Sequence, residues 1–359
     1  VNNKNQVNIF KEIPTGKVGW QSPSNIALVK YWGKQSGQIP ANASLSFTLS
    51  ESFTETIVEY SPKTNQDFKL EFFLDDEANE IFAEKTSIFF KSLIESFPFI
   101  EQLDFKVYSK NTFPHSAGIA SSASGMSAIA LCLCEIERKY FDDFSSDDKF
   151  FKRASYFARL GSGSACRSIY GGLVSWGEIE GNRNSSNKFG SQLTKNVDEI
   201  FEDFHDSILI VDAGQKKVSS SVGHSLMNSN PFSQARFNQA ETNIQRLLEV
   251  LKSENLEEFI KIVETEALTL HSMMMTSSPY FLLMKPNTIS IIEKIWEFRK
   301  ETSLPVCFTL DAGPNIHLLY PAKNKEEVRS FIENELLQHT FNNTVIHDKV
   351  GSGPVKLNL

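Results

Sequence analysis

Apolar positions along this chain alternate with polar ones over short runs in its first sixth and recur at helical spacing further on. The runs IALVKYWG, ASLSFTLS and ETIVEY, between Gly19 and Tyr60, are broken by Gly, Pro, Asn and Ser and predict strands. Ile81, Ile88, Phe89 and Leu93 follow at loosely helical spacing. Met126, Ile129, Ala130, Leu133, Ile136 and Tyr140 then mark one face of a helix of about four turns. A second helix is predicted over Asp147 to Leu160, with Ser145 and Ser146 as cap candidates and Gly161 as its stop.

Residues 1–20 are polar and irregular and predict an N-terminal arm. The stretch from Glu180 to Val197 is poor in apolar residues and predicts a loop, so a domain boundary is placed near residue 190, dividing 21–190 from 191–359. Beyond it, SILIVDA predicts a buried strand. Helices are predicted through Ile244, Leu247, Leu248 and Leu251, through Ile260, Val263, Ala267, Leu270 and Met274, and after Asn287-Thr288. VCFTLDAGPNIHLLY reads as two strands joined by a tight D-A-G-P-N turn. Helices interleaved with antiparallel-type strands in two halves predict an α+β protein.

Composition narrows the function classes. With 359 residues, 40% hydrophobic and 22% charged, the chain is long enough for a sizeable core. Its formal charge of −8 gives a field that repels nucleic acid and anionic membrane, so neither is expected as a partner. An anionic ligand must then be held by local cations and backbone N–H groups. Cys132, Cys134, Cys166 and Cys307 show no paired spacing, which predicts reduced thiols and a cytoplasmic location. No apolar run approaches the ~20 residues of a membrane span.

Three loops carry the candidate chemistry. Six of the seven residues from Ser116 to Ser122 are small, just ahead of a predicted helix. Backbone N–H groups converge on a phosphate only where no Cβ blocks the approach, and a helix start adds unsatisfied donors and a positive dipole end. Ser121 and Ser122 offer hydroxyls to phosphate or Mg²⁺. The same small residues would equally let two helices pack closely, and neither G-x-x-x-x-G-K-[ST] nor G-x-G-x-x-G is present. Lys30 ends an apolar run, and alternation puts it on the face of Ile26 and Leu28; a half-buried lysine requires an anion. Arg167, in GSGSACRSIYGG, offers a planar fork for carboxylate or phosphate, with Ser162 and Ser164 on one side if that segment is extended. Asp311 sits at a strand end, where it either projects into a cleft or serves the turn. The seven histidines form no H-E-x-x-H pair, and His271 reads as a hydrogen-bonded core residue.

Taken with SPSNIALVKYWGK (22–34), FPHSAGIASSASG (113–125), KKVSSSVGH (216–224), FTLDAGPN (308–315) and VGSGP (350–354), these segments resemble the GHMP kinase superfamily and, within it, the diphosphomevalonate decarboxylase branch. The resemblance implies an N-terminal domain like ribosomal protein S5 domain 2, a C-terminal ferredoxin-like domain and a cleft between them. It also implies a reaction: ATP, with Mg²⁺, phosphorylates the 3-hydroxyl of mevalonate 5-diphosphate, and loss of phosphate and CO₂ yields isopentenyl diphosphate. By position, Asp311 and Lys30 match the catalytic pair. Tyr31, Lys34, Ser162, Ser164, Arg167 and Ser220 match substrate-binding residues. Pro114, Ser116, Gly118, Ile119, Ala120, Ser121 and Ser122 match the ATP phosphate loop, with Ser121 the Mg²⁺ ligand. A homodimer is implied as well. His115, Ile119, Ser221 and Val222 depart from the pattern, and 70–80 is acidic where some relatives are basic. A mevalonate 3-kinase, a 5-monophosphate decarboxylase and a catalytically silent nucleotide-binding or interaction protein are the competing readings.

Overall fold

The computed structural model describes residues 12–114, 119–141, 144, 146–214 and 220–359, without the side chains of Ser220 and Ser221. The first half builds one sheet. Its strands are β1 (Gly16–Val29), the two-residue pair β2 (Lys34–Gln35) and β3 (Ile39–Pro40) beside it, then β4 (Ser44–Pro62), β5 (Leu70–Leu74) and β6 (Glu77–Ala78). After helix α1 (Glu80–Ser92) come β7 (Leu103–Asn111), α2 (Ser121–Phe141), α3 (Asp147–Gly161), β8 (Leu173–Ile179) and β9 (Asn182–Gln192). The second half contributes β10 (Phe204–Leu209), α4 (Ser220–Leu226), α5 (Ser233–Val250), α6 (Leu256–Met275) and α7 (Pro286–Thr302). It ends with β11 (Cys307–Leu310), β12 (Ile316–Pro321), α8 (Lys325–Phe331), β13 (Val345–Lys349) and β14 (Val355–Lys356).

The larger sheet has the order β14-β1-β4-β7-β5-β6, with β8 on β4 and β9 on β8; the smaller has the order β11-β12-β10-β13. The short β14 returns from the C-terminus to pair with β1, so the two halves are tied at both ends of the chain. Burial along β4 explains how they meet. Residues 44–49 are buried without alternation, because both sheet faces are covered there, whereas 52–60 alternate buried and half-buried and leave one face to solvent. One core cluster joins Ile26, Leu28 and Phe47 of the first half to Phe204, Ile208, Ile244 and Phe259 of the second.

Polar residues in this doubly covered region need partners. Ser24 Oγ donates to the Ile119 carbonyl at 2.6 Å, and Asn25 Nδ2 to Ser168 Oγ at 2.8 Å. Thr54 Oγ1 on β4 and Ser124 Oγ on α2 share a bond of 2.6 Å, and Ser22 on β1 bonds Ser127 on α2. The small residues of α2 therefore divide between the sheet and a cavity. Ser124 and Ser127 dock the helix closely on the sheet, while Ser121, Ser122 and Gly125 face a cavity.

Three expectations are corrected. The N-terminal arm was expected to run to residue 20, but 16–20 belong to β1, where Val18 and Trp20 are buried under α2 and α3. The polar stretch expected as a loop is largely β9, which ends at Gln192. An edge strand is held by its backbone pairing and can keep polar side chains in solvent, so hydropathy hides it. The helix expected after Asn287-Thr288 starts earlier, at Pro286. Thr288 is its third residue, and its hydroxyl accepts the Lys285 N–H at 3.1 Å. The Asp147 helix has the predicted cap, with Ser146 accepting from the Lys149 N–H.

Candidate active site

Between the two halves lies a cavity of about 860 Å³, and most of the candidate residues converge on its wall. Lys30 follows the last residue of β1, and Asp311 follows the last residue of β11. Lys30 Nζ and Asp311 Oδ1 are 3.0 Å apart; the lysine is 2% exposed and the carboxylate 27%. Burial pulls the Lys30 pKa below the ordinary lysine value of 10.5, outweighing the opposing effect of Asp311. The pair thus presents a cation with a weakened hold on its proton beside an acid open to the cavity.

Tyr31, Lys34, Ser162, Ser164 and Arg167 line the same cavity. Gly163 lets them meet: a Cβ there would come within 2.7 Å of the Trp176 ring and 3.1 Å of the Tyr31 hydroxyl. The 161–172 segment is not extended. Gly163–Ile169 forms a 3₁₀ helix, which buries Arg167 and still leaves Ser162 and Ser164 on the wall. Arg167 Nε donates to Asn25 Oδ1 at 3.2 Å and Nη1 to Ser44 Oγ at 2.5 Å, so neutral partners orient the guanidinium without neutralising it. Burial raises the Tyr31 phenol, keeping it protonated as a donor, and lowers Lys34 from its usual value.

Across the cavity, Ala120, Ser121 and Ser122 open α2. Ala120 has φ 47°, the left-handed turn with which the chain enters the helix. The Ile119 side chain is buried in the core that joins the halves, and its carbonyl accepts from Ser24 Oγ. Pro114 is exposed and is not part of the cavity wall. Ser116 and Gly118 lie outside the described residues, as does the Ser220 side chain. Ser121 and Ser122 supply hard oxygen donors but no charge, which suits a Mg²⁺ that takes most of its ligands from nucleotide phosphates and water.

Several residues that hold this site escaped the sequence analysis. His224, on α4, is buried between the rings of Tyr31 and Trp32, at centroid distances of 4.6 and 4.4 Å. Its Nδ1 accepts the Gly33 N–H at 3.0 Å, and Gly33 has φ 111°, a conformation that favours glycine. Desolvation, then Lys34, lowers the His224 pKa to about 3. The ring is therefore neutral, with its proton on Nε2. His224 lies in KKVSSSVGH, one of the segments that carry the family resemblance. Asn42, Arg236 and Glu266 surround the Lys30 backbone, and no local pattern marks them.

The two sheets, the shared core and a cation-lined cleft facing a small-residue helix start define a GHMP-kinase-like α+β architecture. Two family models match in succession, the diphosphomevalonate decarboxylase-like N-terminal domain over residues 22–187 and the mevalonate 5-diphosphate decarboxylase C-terminal domain over 207–357. The chain belongs to the diphosphomevalonate decarboxylase family. The diphosphomevalonate decarboxylase of Gibberella zeae is 29% identical over 322 residues, covering 85% of this chain and 81% of its own. A solved protein designated MDDEF, in complex with MVAPP, AMPPCP and magnesium, superposes with a TM-score of 0.81 at 28% identity, over 96% of this chain and all of its own. The mevalonate diphosphate decarboxylase of Staphylococcus aureus also gives a TM-score of 0.81, at 26% identity, over 96% of this chain and 98% of its own.

Proposed function

We propose that this chain uses ATP to decarboxylate mevalonate 5-diphosphate, releasing isopentenyl diphosphate, ADP, phosphate and CO₂. The observation that carries this reading is the Lys30–Asp311 contact of 3.0 Å on the wall of the cavity that also holds the α2 start and the Tyr31–Lys34–Arg167 cluster. In the reaction the 3-hydroxyl oxygen attacks the γ-phosphorus and ADP leaves. Asp311 orients that hydroxyl and accepts its proton late, because a tertiary alcohol is a far weaker acid than a carboxylic acid and the transition state is loose. The bond from C3 to the new phosphate then breaks. Electrons from the C1–C2 bond form the C2=C3 alkene, and C1 departs as CO₂.

Lys30 offsets negative charge around Asp311 and the transferring group, and the N–H groups at the α2 start add donors at the phosphates. Ser121, together with the nucleotide phosphates, would hold Mg²⁺, which would add charge neutralisation there. Tyr31, Lys34, Ser162, Ser164, Arg167 and Ser220 bind the diphosphate and carboxylate, so binding energy away from C3 holds the reacting geometry. That many donors exceeds what an unphosphorylated C5 hydroxyl requires, which favours the diphosphate.

Cytoplasmic residence and a homodimer belong to the same reading. The four cysteines are buried free thiols, in keeping with a reducing compartment, and sedimentation analysis reads the oligomer. Incubating the protein with Mg-ATP and mevalonate, its 5-phosphate or its 5-diphosphate, and following ADP and CO₂ together, tests the activity. Equal ADP and CO₂ from the 5-diphosphate supports the reading. ADP without CO₂ makes the protein a kinase, preference for the monophosphate changes its substrate, and no product with any of the three leaves a silent fold.

A further inference from the structure

Lys30 and Asp311 both stand just past the ends of their strands, so strand pairing alone does not fix their positions. Each is instead gripped through its backbone by a side chain of one helix, α6. Glu266 Oε2 accepts the Lys30 N–H at 2.9 Å. His271 Nε2 lies 3.1 Å from the Asp311 carbonyl, which also accepts the Gly313 N–H at 2.7 Å. A carbonyl only accepts, so this contact puts the imidazole proton on Nε2, and burial keeps the ring neutral by lowering its pKa to about 4.

The Lys30 end is built in depth. Glu266 and Arg236 are fully buried, with Arg236 Nη2 2.5 Å from Glu266 Oε2 and Nη1 3.1 Å from Oε1. Asn243 Nδ2 donates to Glu266 Oε1 at 2.7 Å. Arg236 Nη2 and Asn42 Nδ2 both donate to the Lys30 carbonyl, at 3.0 and 2.9 Å. The peptide groups on both sides of Lys30 are thus held by buried side chains. A buried ion pair is a weak source of stability, since desolvation offsets its attraction, so this arrangement calls for another explanation.

We propose that α6 is the gauge of this active site: Glu266 and His271 are positioning residues that set the separation of Lys30 Nζ from the Asp311 carboxylate across the two halves of the molecule. They are five positions apart on one helix, hence about 7.5 Å along its axis, a rigid spacing that neither sheet supplies. Neither side chain needs to touch substrate. The inference rests on the proposed decarboxylase reading for its kinetic consequence, since misplacement of a reacting group by about 1 Å is enough to cost about 100-fold in rate.

The test compares His271→Gln with His271→Leu. The amide nitrogen of Gln reaches the position of Nε2 and donates to the Asp311 carbonyl, whereas Leu fills the space without a donor. With Mg-ATP and mevalonate 5-diphosphate, the Leu variant is expected to lose about tenfold or more in kcat with both KM values within about twofold of wild type. The Gln variant returns to within a few-fold of wild type. Equal losses in the two variants, wild-type kcat in the Leu variant, or a loss expressed in KM would overturn the proposal. Crystal structures of both variants read the gauge without turnover: the 3.0 Å Lys30–Asp311 contact is kept with Gln and lengthened with Leu, and a contact unchanged in both contradicts the proposal. An inactive wild type would defeat the decarboxylase reading, and those structures would still decide the positioning role. Glu266→Gln alone leaves Arg236 buried and unpaired, so the double variant Glu266→Gln/Arg236→Gln is used at that end. It is expected to lose kcat with KM retained, and an unchanged kcat contradicts the Glu266 assignment.

Discussion

Lys30 Nζ and Asp311 Oδ1 come from positions 281 residues apart in the chain and meet at 3.0 Å. One is delivered by the end of β1 in the large sheet, the other by the turn after β11 of the small sheet. Because burial lowers the lysine's affinity for its proton, Lys30 loses its charge at a lower pH than a free lysine. The charged form is the one that assists phosphoryl transfer, so kcat/KM should fall on the alkaline side with an apparent pKa below the ordinary 10.5. Lys34, also lowered by burial, contributes to the same limb. Lys30→Arg stays protonated throughout and should move the limb upward while reducing kcat. A pH–rate profile unchanged by that substitution would remove Lys30 from the chemistry.

Arg167 is oriented by Asn25 and Ser44 through two different nitrogens, a fork that lysine lacks. Arg167→Lys keeps the charge and loses the geometry. Charged hydrogen bonds contribute about 1.5–3 kcal/mol each, so kcat/KM for the diphosphate substrate should fall about 10- to 100-fold. Steady-state kinetics check this, and wild-type kcat/KM would show that charge alone suffices.

How far the sequence foretold this site follows from the range of each interaction. Lys30 was legible because alternation in IALVK puts it on the face of Ile26 and Leu28, and Asp311 because a turn sequence divides two apolar runs. The α2 start was legible from its small residues, whereas the burial of the Ile119 side chain was not, because only the packing of the two halves turns it inward. Strand β9 was hidden because an edge strand does not require apolar residues. His224, Arg236, Glu266 and Asn42 were hidden for another reason. Each acts on residues distant in the chain or on a backbone group, and neither relation leaves a periodic trace.

His224 fills the space between Tyr31 and Trp32 and accepts the Gly33 N–H through Nδ1. His224→Asn retains an acceptor for that N–H and removes the stacked ring that supports Tyr31. The KM for mevalonate 5-diphosphate should rise about tenfold, with kcat and the KM for ATP within a few-fold of wild type. An unchanged KM for the diphosphate, or an equal rise for ATP, would contradict a role at the substrate end of the cleft.

Two buried neutral histidines give the fold an acid-sensitive element. The pKa values of His224 and His271 are lowered to about 3 and about 4 from an ordinary 6.5. Between those values the unfolded chain binds protons that the folded one refuses, so this stability is complete above about pH 6.5 and is lost as pH falls towards 4. Calorimetric melting temperatures should therefore drop over that window. The slope should be shallower in His271→Gln, which has no titrating ring, and an identical slope would contradict the assignment.

The most direct test of the catalytic role of the Lys30–Asp311 pair is a single-turnover measurement on Asp311→Asn with Mg-ATP and mevalonate 5-diphosphate, following ADP and CO₂ beside wild type. The carboxamide preserves the size of the side chain and removes its capacity to accept the hydroxyl proton. A loss of both products by about 1,000-fold, with ATP binding retained, is the predicted result. Release of ADP and CO₂ at the wild-type rate would show that Asp311 is not the acid on which the reaction depends.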